Sequence, residues 1–127
     1  MSAFLESLKL LSDPTRLRIL LLLDAEEISV AELQEILNMK QSRISTQLAL
    51  LKQAGLVQAR RSGKNSIYAL TEAPDPKGAA HQLRELIRAS AEEISEATSD
   101  RQALRLAMQK RSDQASTGQG DNDFFHG

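Results

Sequence analysis

The 127-residue sequence has no cysteine and no tryptophan, with one tyrosine and three phenylalanines. Without thiols it can form no disulfide, thiolate metal site or cysteine nucleophile, and cysteine usage says nothing about the redox compartment. Long apolar runs are missing too: Ile19–Leu23 falls far short of the roughly 20 residues that span a bilayer. Met1 is followed by Ser2 rather than a basic stretch, so no secretory signal is expected. These absences predict a cytoplasmic protein with no membrane partner. In place of aromatics there are twenty leucines, which points to packed helices. A core built from so short a chain leaves room for completion by oligomerisation.

The most informative absence is local. Between Glu35 and Glu72 there is no Asp or Glu, yet Lys40, Arg43, Lys52, Arg60, Arg61 and Lys64 all fall there. A formal net charge of −1 conceals this window. Residues 1–70 carry nine basic and seven acidic side chains, and residues 71–127 carry seven and ten. Any attraction for a polyanion must therefore come from a local patch.

Helix starts are legible. In "SDPTRLRILLLL" Asp13 stands at an N-cap and Pro14 at the first helical position, where its missing N–H costs nothing. That helix should reach about Leu23. "ISVAEL" combines a Ser29/Glu32 capping box with an Ile28/Leu33 hydrophobic staple, and predicts a helix to about Leu37. Asn38 follows, a residue at ease in the left-handed conformation that ends helices. The next helix spans about Gln41–Ala54, with Ile44, Leu48 and Leu51 turned inward, and Gly55 ends it. The period then changes from 3.6 to 2, predicting strands at about Val57–Arg61 and Ser66–Leu70 around the turn Ser62-Gly63-Lys64-Asn65. Upstream, residues 3–11 form a short helix with Phe4, Leu5, Leu8 and Leu11 on one side. "EAPDPKGAA" reads as a linker in which Asp75-Pro76 repeats the Asp-Pro helix start. From Pro76 to about Arg111 the pattern is helical, with a seam of Leu83, Leu86, Ile87, Ser90, Ala91 and Ile94. One long helix, or two with a cap at Thr98-Ser99-Asp100, fit equally. The polar, glycine-containing residues 112–127 read as a disordered tail. The division expected is a domain over 1–98, a helical extension over 99–111 and the tail.

Two helices joined by the tight Asn38-Met39-Lys40 connection are a helix-turn-helix, whose second helix enters the major groove, and the hairpin after it supplies a wing. On that second helix Arg43 can fork onto guanine, and Gln41 or Gln47 can pair with adenine. Ser42, Ser45 and Thr46 are short enough to let the backbone approach. Arg60, Arg61 and Lys64 in the hairpin suit phosphates or a narrow minor groove. A surface meant for duplex DNA must lack carboxylates, because the duplex carries one phosphate charge per about 1.7 Å. The competing reading is a winged-helix module that docks a protein partner without touching DNA.

No enzymatic pattern competes. His81 and His126 have no nucleophile or paired carboxylate at meaningful spacing. "GQG" at 118–120 follows no strand and precedes no helix, and Glu92, Glu93 and Glu96 read as a solvated helix surface.

With these elements placed, the sequence resembles the ArsR family of bacterial transcriptional regulators over about residues 4–96. "LSDPTRLRIL" is similar to the family's second-helix signature, "ISVAELQEILNMKQSRISTQLALLKQAGLV" to its helix-turn-helix, and "RRSGKNSIYAL" to its wing. The resemblance implies a mainly α fold with a small β-hairpin, a winged helix-turn-helix. It further implies a homodimer built through the first and last helices, which represses from a palindromic operator in double-stranded DNA until an effector releases it. By position, Gln41, Ser42, Arg43, Ser45, Thr46 and Gln47 become the base readers, and Arg60, Arg61 and Lys64 the wing contacts. Phe4, Leu5, Leu8, Leu83, Leu86, Ile87 and Ile94 become the dimer interface.

Three departures bear on mechanism. Arsenic- and cadmium-sensing members carry Cys-x-Cys where this chain has Ser29 and Ala31. Zinc- and nickel-sensing members place Asp and His pairs on a last helix that here offers His81 alone. No metal and no cofactor is therefore expected, and a small non-metal effector is. Lys40 stands where relatives often have a capping Ser or Thr, which suggests that a DNA phosphate completes that helix start. "LESLKLLSDPTRLRILLLL" and the extended last helix are most similar to a subgroup that includes methyltransferase-fused regulators and regulators responding to S-adenosylhomocysteine. The tail "DNDFFHG" is similar to the junction before such a methyltransferase domain. No methyl-transfer activity is expected of this chain.

Overall fold

A computed structural model describes residues 3–72 and 78–126, with side chains for 5–72, 78 and 81–114. Four helices come first: α1 (Ala3–Leu10), α2 (Pro14–Ala25), α3 (Val30–Leu37) and α4 (Gln41–Gln53). The strand β1 (Ile28–Ser29) stands just before α3, and β2 (Val57–Ser62) and β3 (Asn65–Leu70) follow α4. Then come α5 (Ala79–Ala89), a 3-10 turn (Ser90–Glu93) and α6 (Ala97–His126).

Local chemistry accounts for most boundaries. The Asp13 carboxylate accepts the Arg16 N–H at 3.0 Å, ahead of Pro14 at the first position of α2. In α3 the capping box closes both ways: Glu32 N–H donates to Ser29 Oγ at 3.2 Å, and Ser29 N–H donates to Glu32 Oε1 at 3.0 Å. Asn38 ends α3 at φ 54°, ψ 50°. At the end of α4, Gly55 takes φ 79°, and its N–H donates to Lys52 O while Leu56 N–H donates to Leu51 O. This pair of bonds is the Schellman closure, which needs a residue free to adopt positive φ.

The wing is longer by one residue per strand than the period-2 pattern predicts, because Ser62 and Asn65 pair across a two-residue turn. Gly63 occupies its first central position at φ 63°, as a type II′ turn requires. The sheet also has three strands, in the order β1-β3-β2, all antiparallel, with Ile28 opposite Tyr68 and Ser29 opposite Ile67. A two-residue strand has no periodicity to read.

Beyond the wing the helix breaks, but at Ile94 (φ −99°, ψ 112°) rather than at Thr98-Ser99-Asp100. Ser90 Oγ donates to Ile87 O at 2.6 Å, beside a 3-10 turn; serines compete in this way for helix carbonyls. Asp75 and Pro76 lie outside the described residues, and α5 starts after Gly78. Where composition predicts a disordered tail from residue 112, α6 continues to His126. Once a helix is anchored, each further residue adds a hydrogen bond without a new nucleation cost, and Gln109 also donates to Asp113 one turn on.

The core gathers Ile19 and Leu20 of α2, Ile28 of β1, Leu33 of α3, and Ile44, Leu48 and Leu51 of α4, all essentially inaccessible. Leu104 and Ala107 of α6 complete it, so α6 belongs to the domain's core. Ionic contacts to α2 and α3 fix α6, Lys110 Nζ to Glu35 Oε1 at 3.1 Å among them. Asp100 accepts from Arg18 Nε at 2.8 Å and Nη2 at 2.9 Å, and Arg111 forks onto Glu32. Burial pushes the Glu32 carboxyl up, but the bonds from Arg111 and Ser29 outweigh it and hold it below its ordinary value. Among the described residues no helix is long and apolar enough to cross a membrane.

Candidate nucleic-acid interface

Along α4 the buried stripe of Ile44, Leu48 and Leu51 leaves Ser42 and Thr46 on the opposite side, with Arg43 and Gln47 beside one edge. Gln41, Ser42, Arg43, Ser45 and Thr46 are all exposed, as is Lys40 at the N-cap. Lys40 makes no side-chain cap, so the first N–H groups of α4 are open to an acceptor from outside. Thr46 Oγ1 donates back to Ser42 O at 2.8 Å, which turns that hydroxyl toward its own helix.

The two edge residues are tethered to α2. Arg43 Nη2 donates to Thr15 Oγ1 at 3.2 Å, and Arg16 Nη1 donates to Gln47 Oε1 at 2.8 Å. Arg16 is itself anchored by Nε on Leu10 O at 2.6 Å. Gln47 is thus half-buried with its carbonyl engaged, whereas Gln41 is exposed. Sequence reading missed Thr15 and Arg16. Their partners lie 28 and 31 residues away, and no local pattern signals such a reach.

In the wing, Arg61 and Lys64 are exposed, and among the described residues neither has an ion-pair partner. Arg60 differs. Its Nε and Nη2 donate to Glu27 Oε2 at 3.1 and 2.8 Å, so a carboxylate from outside the acid-free window is brought to the wing by the fold. The window is acid-free along the chain but not wholly so in space.

Of the residues expected to face a second copy, Leu5, Leu8 and Leu86 are exposed at 48, 39 and 62%. Leu83 is instead buried within the chain at 6% exposure, and Ile87 packs partly against the chain's own core. Ile94 is half-buried. The seam divides, one side facing inward and the other outward. The Phe4 side chain lies outside those described. Among the described residues no three His, Cys, Asp or Glu side chains cluster so as to hold a metal ion.

Residues 13–59 match the model of the arsR family of bacterial regulatory proteins. The HTH-type transcriptional regulator Rv0081 of Mycobacterium tuberculosis is 37% identical over 100 residues, covering 78% of this chain and 81% of its own. The chain belongs to the ArsR family. The biofilm growth-associated repressor of Xylella fastidiosa is 42% identical over 66 residues, which are 52% of this chain and 58% of that repressor; the match spans somewhat over half of this relative's length. Among solved structures, the homodimeric winged helix-turn-helix DNA-binding domain Mb0332 of Mycobacterium bovis superposes with a TM-score of 0.59 at 31% identity, covering 74% of this chain and 82% of that one. Family and fold therefore agree with the helix-turn-helix and wing described above.

Proposed function

We propose that this ArsR-family chain is a homodimeric, sequence-specific DNA-binding repressor. The observation that carries this reading is the exposed, carboxylate-free surface of α4 from Lys40 to Thr46, flanked by Arg61 and Lys64 of the wing. Arg43 and Gln41 read base edges, Ser42, Ser45 and Thr46 permit close approach, and Lys40, Arg61 and Lys64 hold phosphates. Gln47 and Arg60 take part after exchanging their internal partners for DNA. The exposed leucines Leu5, Leu8 and Leu86 supply the dimer surface, in keeping with the homodimeric Mb0332 domain.

A small non-metal molecule modulates binding in this proposal. A cavity of about 260 Å³ between α2, α5, the 3-10 turn and α6, lined in part by Leu21, Leu22 and Leu104 and by the Arg18–Asp100 and Arg88–Asp24 ion pairs, offers it a place. S-adenosylhomocysteine is the first compound to screen.

The salt dependence of binding tests the DNA contact directly. A dimer that neutralises six to ten phosphates gives a slope of log K against log salt on the order of −5 to −9. A slope near zero contradicts the proposal.

A further inference from the structure

The wing presents three cations, and the fold treats one of them differently. Arg61 and Lys64 have no acid beside them among the described ion pairs, whereas Arg60 is forked onto one oxygen of Glu27. Sheet register explains the reach: Arg60 lies opposite Ile67, and Ile67 lies opposite Ser29 on the far side of β3. The Arg60 side chain thus crosses the central strand to a residue just ahead of β1. Glu27 is held in its turn from α6, because Arg111 Nη2 donates to the Glu27 backbone carbonyl at 3.1 Å while the same guanidinium forks onto Glu32. The backbone that carries this carboxylate is therefore tied to the C-terminal helix.

We infer that Glu27 is an internal competitor of DNA phosphate, which holds Arg60 in the free protein and must release it on binding. The inference rests on the DNA-binding reading above. A carboxylate oxygen offers a guanidinium the same charge sign and the same acceptor geometry as a phosphate oxygen, so Arg60 cannot satisfy both with the same N–H groups. Both side chains are half exposed or more, at 60 and 51%, so the internal pair is weak enough to exchange. Its effect is to lower affinity for any duplex. Non-specific binding, which depends on phosphate contacts alone, feels this most. Because Arg111 positions Glu27, any displacement of α6 would change how firmly Arg60 is held.

The test is fluorescence anisotropy of the full chain and its Glu27→Gln variant on a random-sequence duplex at low salt. Gln keeps the length and removes the charge. Exposed pairs of this kind are worth on the order of a threefold gain per protomer, or about tenfold when both copies of a dimer contribute. Glu26→Gln removes the same charge one residue earlier, at an exposed side chain with no bond to Arg60, and is expected to leave affinity near the parent value. In an Arg60→Gln background, Glu27→Gln is expected to gain nothing. Equal gains in the Glu26 and Glu27 variants, or a gain that persists without Arg60, would show a general charge effect and overturn the inference. No gain at Glu27, with the parent binding normally, overturns it while leaving the DNA reading intact. A parent chain that binds no duplex overturns both.

Discussion

Arg43 and Lys40 stand within one turn of each other at the start of α4, and their chemistry leads to separate expectations. Arg43 is exposed and loosely held on Thr15, so its fork can turn onto a guanine. Arg43→Lys keeps the charge and loses the planar pair of donors. Discrimination at one base pair should fall by about 1–3 kcal/mol, while affinity for random duplex stays near the parent value; competition between operator variants reads both. Unchanged discrimination would favour a winged helix that docks a protein. Lys40 makes no cap, and a serine there would satisfy one open N–H. Lys40→Ser should raise unfolding free energy in urea by about 1 kcal/mol. With one phosphate-holding charge gone, it should also weaken DNA binding and flatten the salt slope by about one per protomer. A large gain in affinity would contradict the idea that a phosphate completes this helix start.

At the scale of elements, α6 shows why part of the fold was hidden. Caps and turns could be read because each is a contract between residues three or four apart: Asp13 with Arg16, Ser29 with Glu32, Gly55 closing α4. The inward set Ile44, Leu48 and Leu51 followed from spacing alone, and all three are fully buried. Nothing in the spacing favoured a break at Ile94 over one at Thr98-Ser99-Asp100. The strand β1 was not legible, since its partner β3 lies far along the chain. The same holds for Glu27 on Arg60, which brings an acid to a stretch that is acid-free in sequence. The Arg18–Asp100 pair spans 82 residues and anchors α6 to α2 with side chains only 15 and 7% exposed. Removing one partner of such a pair strands a buried charge. Asp100→Ala should therefore cost about 3–5 kcal/mol, whereas replacing Arg18 and Asp100 together by Met and Leu should cost far less. Chemical unfolding of the single and double variants checks this, and an equal loss in both would mean that the pair's charge is not what matters.

Over the whole molecule, the acid-free basic stretch and most of the exposed leucines lie on different elements. Exposed cations occur on most helices, but only on α4 and the wing do they stand in a stretch free of acids along the chain. Of the exposed leucines, Leu5, Leu8, Leu86 and Leu106 lie on α1, α5 and α6, and Leu50 lies on α4. Such a layout lets two copies join through one side and present two reading helices on the other, as a two-fold operator demands. A chain of net charge −1 can then bind a polyanion through a local field alone. In vitro selection of duplexes from a random pool by the purified protein tests this most directly. Enrichment of an inverted repeat, with half-sites about one helical turn apart, is the predicted result. No enrichment of any sequence at low salt would contradict the account and leave the basic surface to a partner other than DNA.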